Sequence, residues 1–389
     1  MLRHQLATDS ATLTSLAPEW ARLLAGSRHD LVMRGPVWLL SWWRVFGALN
    51  GRRARVVSFW RGSELVGVFP LLSRPAFGLT RIELLGTGEQ ERDEVCSEHL
   101  GPVVAPGEEQ AVARAFVALL ERDALGPWHQ LDLQSLSGED AMPALLCEAL
   151  RGLGRVSFDV VGSAPFARLP ATWGDYLSSL PSSRRQRVRR ILGAFERWTG
   201  GNHAFEIATD PSMLERGLDI LERLHAERWR EVGRSGAFAS PLFRAFHRRV
   251  APLLLEQGAL ELAWLVVRGR PVTALYNLIC NGRVRFYQSG RALQIPAGVS
   301  VGVATHLYAM QRAIVAHRPE YDFLGGLGRY KLELSHGVRP LLRLTVTRRS
   351  AVTDLQRTAD LLWRAARFWH HETTSGARAP PPPMAVASA

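Results

Sequence analysis

Apolar positions along the chain change period in an order that occurs twice. In the first half, Trp20, Leu23 and Leu24, and then the stretch Val37 to Phe46, recur at helical spacing. A hairpin follows, Arg55 to Trp60 and Leu65 to Leu72, turned at Arg61-Gly62-Ser63. After a Gly-rich region the pattern predicts a helix over Glu108 to Arg122, a strand over Gln130 to Leu133 and a helix over Ala141 to Leu150. The second half repeats this order with longer elements. Helical spacing runs through Ser182 to Trp198, Pro211 to Val232 and Pro241 to Gln257. Strands follow at Leu260 to Val267, Val272 to Cys280 and Val284 to Ser289, joined by Arg268-Gly269-Arg270 and Asn281-Gly282. A helix over Val299 to Ala316 and strands at Tyr321 to Leu324 and Leu341 to Thr347 complete the set.

This order predicts an α/β (α+β) protein of two related units, each a mixed central sheet flanked by helices. The break is set at Gly162 to Pro165, giving units 1–164 and 165–350. Apolar residues from Thr353 to His371 predict a further helix within 351–377, and Pro380 to Pro383 mark 378–389 as a flexible tail.

Composition narrows the class. The chain has 389 residues, 47% hydrophobic and 22% charged, which suits globular units rather than long disorder. A formal charge of +12 favours anionic partners such as nucleotide phosphates, coenzyme pyrophosphate, tRNA or peripheral contact with an anionic membrane. Its three cysteines are far apart, with no CxxC, so neither a disulfide framework nor a zinc site is expected. The start lacks the apolar run of a leader and no long apolar span occurs, so a soluble, cytoplasmic protein is expected. No GxSxG, HExxH or P-loop is present, and no metal is expected.

One lysine, Lys331, stands among the 48 basic residues, directly after a Gly-rich turn, Leu324-Gly325-Gly326-Leu327-Gly328. Lysine differs from arginine in aiming three donors from one compact centre. The segment Pro296-Ala297-Gly298-Val299-Ser300 lies between a strand and a helix. Small residues and free N–H groups at a helix start make Gly298, Val299 and Ser300 candidates for holding an anion, although an ordinary strand-to-helix turn reads the same way. His225, Arg228 and Trp229 share one helix face and either line an acceptor cleft or pack as core with a polar neighbour. Tyr287 and Ser289 alternate to one face of a strand. Asp93, Glu94, Glu98 and His99 cluster without metal-ligand spacing, as a solvated loop or as an acidic rim for an amine. Ser182 to Arg190 is a capped basic helix start; at least half of its cations face solvent, while Arg184 and Arg187 are candidates for phosphate binding. Without interleaved aromatics, sequence-specific nucleic-acid reading is not expected.

The ordered set Leu224-His225-x-x-Arg228-Trp229, Tyr287-Gln288-Ser289-Gly290, Pro296-x-Gly298, Asp322-Phe323-Leu324-x-Gly326 and Tyr330-Lys331 resembles the bacterial GNAT-related acyltransferases of the CelD/BcsL type. Those in turn resemble the FemABX aminoacyl transferases. Trp38-Leu39-x-x-Trp42, Gly67 to Leu71 and Asp93 to Glu98 extend the similarity over residues 15–350. The resemblance implies a tandem GNAT fold and acyl transfer onto an amine, small or sugar-linked, in envelope or exopolysaccharide pathways. It implies acetyl-CoA or another acyl-CoA as co-substrate. Ile295 stands where such enzymes usually carry Arg or Gln, which leaves room for aminoacyl-tRNA as donor. A non-catalytic accessory protein of a polysaccharide synthase is the alternative outside enzymes. By the same resemblance Lys331 is expected to steady the oxyanion; Asp322 and Tyr330 either orient it and handle the proton, or serve as a turn cap and a packed ring. His225, Arg228, Trp229, Tyr287, Ser289 and Glu98 are expected at the acceptor.

Overall fold

The computed structural model describes residues 2–27, 32–76, 78–349 and 353. The expected C-terminal helix, beyond Thr353, and the Pro-rich tail lie outside the described residues.

The chain opens with β1 (Arg3–Ala7), α1 (Ser10–Gly26), α2 (Pro36–Phe46), β2 (Arg53–Ala54), β3 (Val56–Arg61) and β4 (Glu64–Phe69). Next come β5 (Leu71–Ala76), β6 (Leu79–Leu84), β7 (Val103–Val104), α3 (Glu109–Glu121), β8 (Gln130–Ser137) and α4 (Met142–Ala149). A long strand β9 (Gly154–Arg168) leads to α5 (Trp173–Ser179), α6 (Ser182–Thr199), β10 (His203–Ile207), α7 (Pro211–Glu231) and α8 (Pro241–Glu256). Strands β11 (Leu260–Val267), β12 (Arg270–Cys280) and β13 (Arg283–Arg291) follow, then α9 (Val301–Val315), β14 (Glu320–Asp322), α10 (Arg329–Leu334) and β15 (Gly337–Arg348).

Local signals set the helix starts. Asp210 accepts from Met213 N at 2.9 Å to cap α7, Ser240 accepts from Phe243 N at 3.1 Å to cap α8, and prolines 211 and 241 occupy their first turns. α6 differs from expectation: Pro181 precedes it and no side chain caps it.

Among the described residues four strands form one sheet in the order β1-β3-β4-β7, and eleven form another in the order β10-β11-β12-β13-β14-β9-β15-β8-β6-β5-β2. The expected break at 164/165 falls inside β9. This strand pairs with β15 along its length and with β14 at Phe166 to Arg168, while β15 also pairs with β8. β9 and β15 therefore form a ribbon joining the strands of both halves. One apolar core runs across the join, with α2 against α8: Trp38 meets Phe246 edge-on at 4.8 Å between ring centroids and Tyr287 at 5.5 Å.

Candidate active site

β13 and β14 are parallel and register only at Val284↔Tyr321 and Arg285↔Asp322. Beyond that point β14 ends and the chain turns away. From Phe286 to Arg291 the edge of β13 facing it has no strand partner among the described residues. Unpaired strand N–H and C=O groups are strong hydrogen-bonding positions. At the end of this edge Ser289, Gly290 and Arg291 line a cleft of about 290 Å³. Its walls include Leu275, Ile295 and Val303, and its polar rim includes Arg228, Ser289, Arg291, His306 and Tyr330.

The start of α9 closes one end. Ser300, Val301 and Gly302 line the cleft. Ser300 is the N-cap residue, with φ −93° and ψ 69°, and its side chain caps nothing. The first N–H groups of this 15-residue helix are thus left for a ligand, at the positive end of its dipole. Gly298, at φ +82°, turns the chain into the helix in a conformation that a side chain would strain.

His306 is buried on α9. Its Nδ1 lies 3.0 Å from the Tyr321 hydroxyl, and its ring stacks on Tyr330 at 5.3 Å between centroids. Burial, with Lys331 and Arg228 adding like charge, pushes this imidazole down to about 3, so it is neutral at physiological pH. Tyr330 is half-buried, and burial raises its phenol to about 12. Arg228 is exposed at the rim, over the Trp229 ring at 5.9 Å.

Beside the cleft, residues 322–325 form a tight turn gripped from several sides. Asp322 Oδ1 accepts from Leu324 N at 2.8 Å, and Leu324 takes the left-handed conformation at φ 52°. Lys331 Nζ donates to the carbonyls of Phe323 at 2.8 Å, Leu324 at 3.3 Å and Gly325 at 2.5 Å. Its ammonium also sits over the Phe286 ring at 5.6 Å. Burial pulls the Lys331 pKa down while Glu98 and Asp322 oppose that pull. From the first half of the chain, Glu98 Oε2 accepts the Gly325 N–H at 2.6 Å. Burial raises the Glu98 carboxyl to about 7; the Gly325 hydrogen bond and Lys331 work against this, Asp322 and Glu94 with it. Asp322 is buried and raised by burial, held back by Arg285 and Arg339, with Arg339 Nη1 3.3 Å from its Oδ2.

The expected residues therefore divide. Arg228, Ser289, Tyr330, Val299 and Ser300 share the cleft, and Glu98, Asp322 and Lys331 share the turn beside it. Lys331 lies on the short helix α10, and all three of its hydrogens meet carbonyls. Tyr287 points elsewhere. A β-bulge pairs Tyr276 with Gln288 and Asn277 with Phe286, leaving Tyr287 the unpaired residue and breaking its alternation with Ser289. Its hydroxyl donates to Val95 O at 2.6 Å and meets His247 Nε2 at 3.0 Å, inside the core. His225 is buried and accepts from Trp229 Nε1 at 2.9 Å; burial lowers it to about 4. Arg184 donates to Ser335 O at 3.2 Å and Arg187 pairs with Glu333 at 2.8 Å. Both cations brace α10 and its C-terminal end rather than line the cleft. Among the described residues no three His, Cys, Asp or Glu side chains group as metal ligands.

His306 and Arg291 were not singled out in the sequence. The signal for His306 is a lone imidazole on an otherwise apolar helix face, which a satisfied core residue shows equally. Arg291 directly follows the Tyr-Gln-Ser-Gly run on β13.

Residues 182–332 match the acetyltransferase (GNAT) domain family. The matched stretch contains α6, the splayed strands, α9, the 322–325 turn and Lys331. No curated protein matches the chain. Among solved structures, FemX is 11% identical over 89% of this chain and 97% of its own, with a TM-score of 0.58. A conserved protein of unknown function from Bacteroides thetaiotaomicron is 13% identical over 88% and 100%, with a TM-score of 0.53. The C-terminal domain of a putative lysylphosphatidylglycerol synthetase from Agrobacterium fabrum is 11% identical over 90% and 97%, with a TM-score of 0.51. These identities establish a likeness of fold: a mixed α/β architecture extending well beyond the matched domain. Among the described residues no helix is long and apolar enough to cross a membrane.

Proposed function

We propose that the chain is an N-acyltransferase whose donor lies in the cleft between β13 and β14 and whose amine acceptor approaches from the side of Glu98. One observation carries this reading: the two strands part after two registered pairs, and an uncapped helix start closes the gap. Apolar walls suit an acyl chain and its tether, while the α9 N–H groups, Arg228 and Arg291 suit the phosphates behind it.

In this scheme the amine nitrogen attacks the donor carbonyl carbon, forming a C–N bond as the electron pair moves onto oxygen. Free N–H groups along the β13 edge receive that oxyanion. Glu98 takes the proton from nitrogen, its raised pKa suiting it to exchange protons near neutrality. When the C–S or C–O bond breaks, Tyr330 supplies a proton to the leaving group and is reprotonated by water. The first half of the chain thus contributes a group to the site of the second, and units 1–164 and 165–350 act as one enzyme. An acceptor amine on an envelope or exopolysaccharide precursor follows from the resemblance to the CelD/BcsL type.

A second reading takes aminoacyl-tRNA as donor. Ile295 at the loop and the exposed Arg189 and Arg190 on α6 favour it. Native mass spectrometry with a panel of acyl-CoAs and with charged tRNA separates the two, followed by transfer to model amines. One bound acyl-CoA that is consumed when amine is added supports the first reading, and consumption of charged tRNA alone supports the second. Binding without transfer to any amine, or no binding at all, overturns acyl transfer and leaves the accessory role.

A further inference from the structure

Lys331 converges on the 323–325 turn through three donors, and the same turn hands the Gly325 N–H to Glu98. Gly325 is therefore gripped at both ends of its peptide framework: N–H to the first half of the chain, C=O to α10. A Cβ at Gly325 would lie 2.5 Å from Glu98 Oε1, so a side chain there would push the carboxyl aside. An ammonium with every hydrogen on a carbonyl has none left for a developing oxyanion. We propose that Lys331 is a positioning residue, fixing the 323–325 turn so that the Gly325 N–H orients the Glu98 carboxylate for proton transfer.

This rests on the acyl-transfer reading for its kinetics, but not for its geometry. Arginine cannot substitute, because a planar fork does not bring three donors to the inside of one turn. The groups facing Glu98 are Glu94 and Cys96 on its own loop, Asp322 on β14, Lys331 on α10 and Tyr287 on β13. Lys331 is the cation among them, so its removal leaves the carboxylate facing acids and neutral groups.

The test uses the full chain with Lys331→Met, Lys331→Arg and wild type. Amide exchange at Gly325, followed by mass spectrometry on peptides covering 323–327, reads the positioning without any substrate. Both variants are expected to exchange there at least tenfold faster than wild type. In pH–rate profiles the acid limb of kcat/KM is expected to move to higher pH for Lys331→Met. For Lys331→Arg it is expected to stay in place while kcat falls and the donor KM holds. Unchanged exchange at Gly325 in Lys331→Met overturns the proposal, as does a variant that raises donor KM with kcat and the acid limb intact. Wild-type protein that transfers no acyl group would remove the acyl-transfer reading alone, and the exchange measurement would still decide the positioning.

Discussion

Glu98→Gln should make the protein both slower and more stable, and the two effects share one physical origin. Burial raises the Glu98 carboxyl from the ordinary 4.5 to about 7, so folding favours its protonated form. For an acid with a raised folded pKa, the stabilising protonation is fully present below the unfolded value near 4.5. It is lost as pH rises through about 7. At pH 8 the native protein therefore holds a carboxylate at a cost. A dry site would set this at about 3 kcal/mol from 1.36 kcal/mol per pKa unit. Glu98 is only half-buried, and solvent screening reduces the figure to about 1 kcal/mol. Glutamine removes the charge and keeps an oxygen to accept the Gly325 N–H. Thermal melts at pH 5 and pH 8 should show the variant gaining on wild type at pH 8, with a clearly smaller gain at pH 5. Initial rates should fall by about 10²–10⁴, the usual contribution of a general base. The reasoning is refuted if Glu98→Gln turns over within threefold of wild type, or if its stability gain is the same at both pH values.

Three further outcomes follow from packing and charge. Gly290 abuts α7 so closely that a Cβ would lie 2.6 Å from His225 N, so Gly290→Ala should cost about 1–3 kcal/mol in denaturant unfolding; a loss under 0.5 kcal/mol would contradict that contact. Arg228→Ala should raise the donor KM about tenfold with kcat unchanged, an effect that shrinks in high salt, as steady-state kinetics at two ionic strengths would show. His306→Phe keeps an aromatic ring against Tyr330 but strips the buried Tyr321 hydroxyl of its 3.0 Å partner. It should lose about 1–3 kcal/mol of stability while still binding donor, measured by melting with and without ligand.

The helices and strands of the second half were legible because their burial is one-sided. α7 and α8 each carry a buried stripe against β11–β13, and their Asp-Pro and Ser-Pro starts mark the first turns. β9 was not legible. Its first part is exposed on both faces, with Val160 66% and Phe158 39% exposed, so no alternation betrays it, and Gly162 to Pro165 resemble a break. The Pro165 carbonyl accepts from Phe323 N at 2.8 Å, a bond that no local pattern encodes. The lone lysine lies against the 322–325 turn, and the small-residue helix start lines the cleft beside it, so both features were visible as local patterns. Lysine's actual partners were hidden, because α10 is six residues long and directly follows a Gly-rich stretch. Tyr287 misled for a different reason: a bulge depends on the register of two strands, and the period-two rule holds only between bulges.

The account turns on whether the parted strands receive the acyl donor. Hydrogen exchange of the full chain with and without the donor identified by native mass spectrometry addresses that point. New protection is expected along 286–291 on β13 and at 300–303 where α9 begins. Protection confined to the separate cavity between α1 and α8, lined by Leu24, Val37 and Leu254, would contradict it.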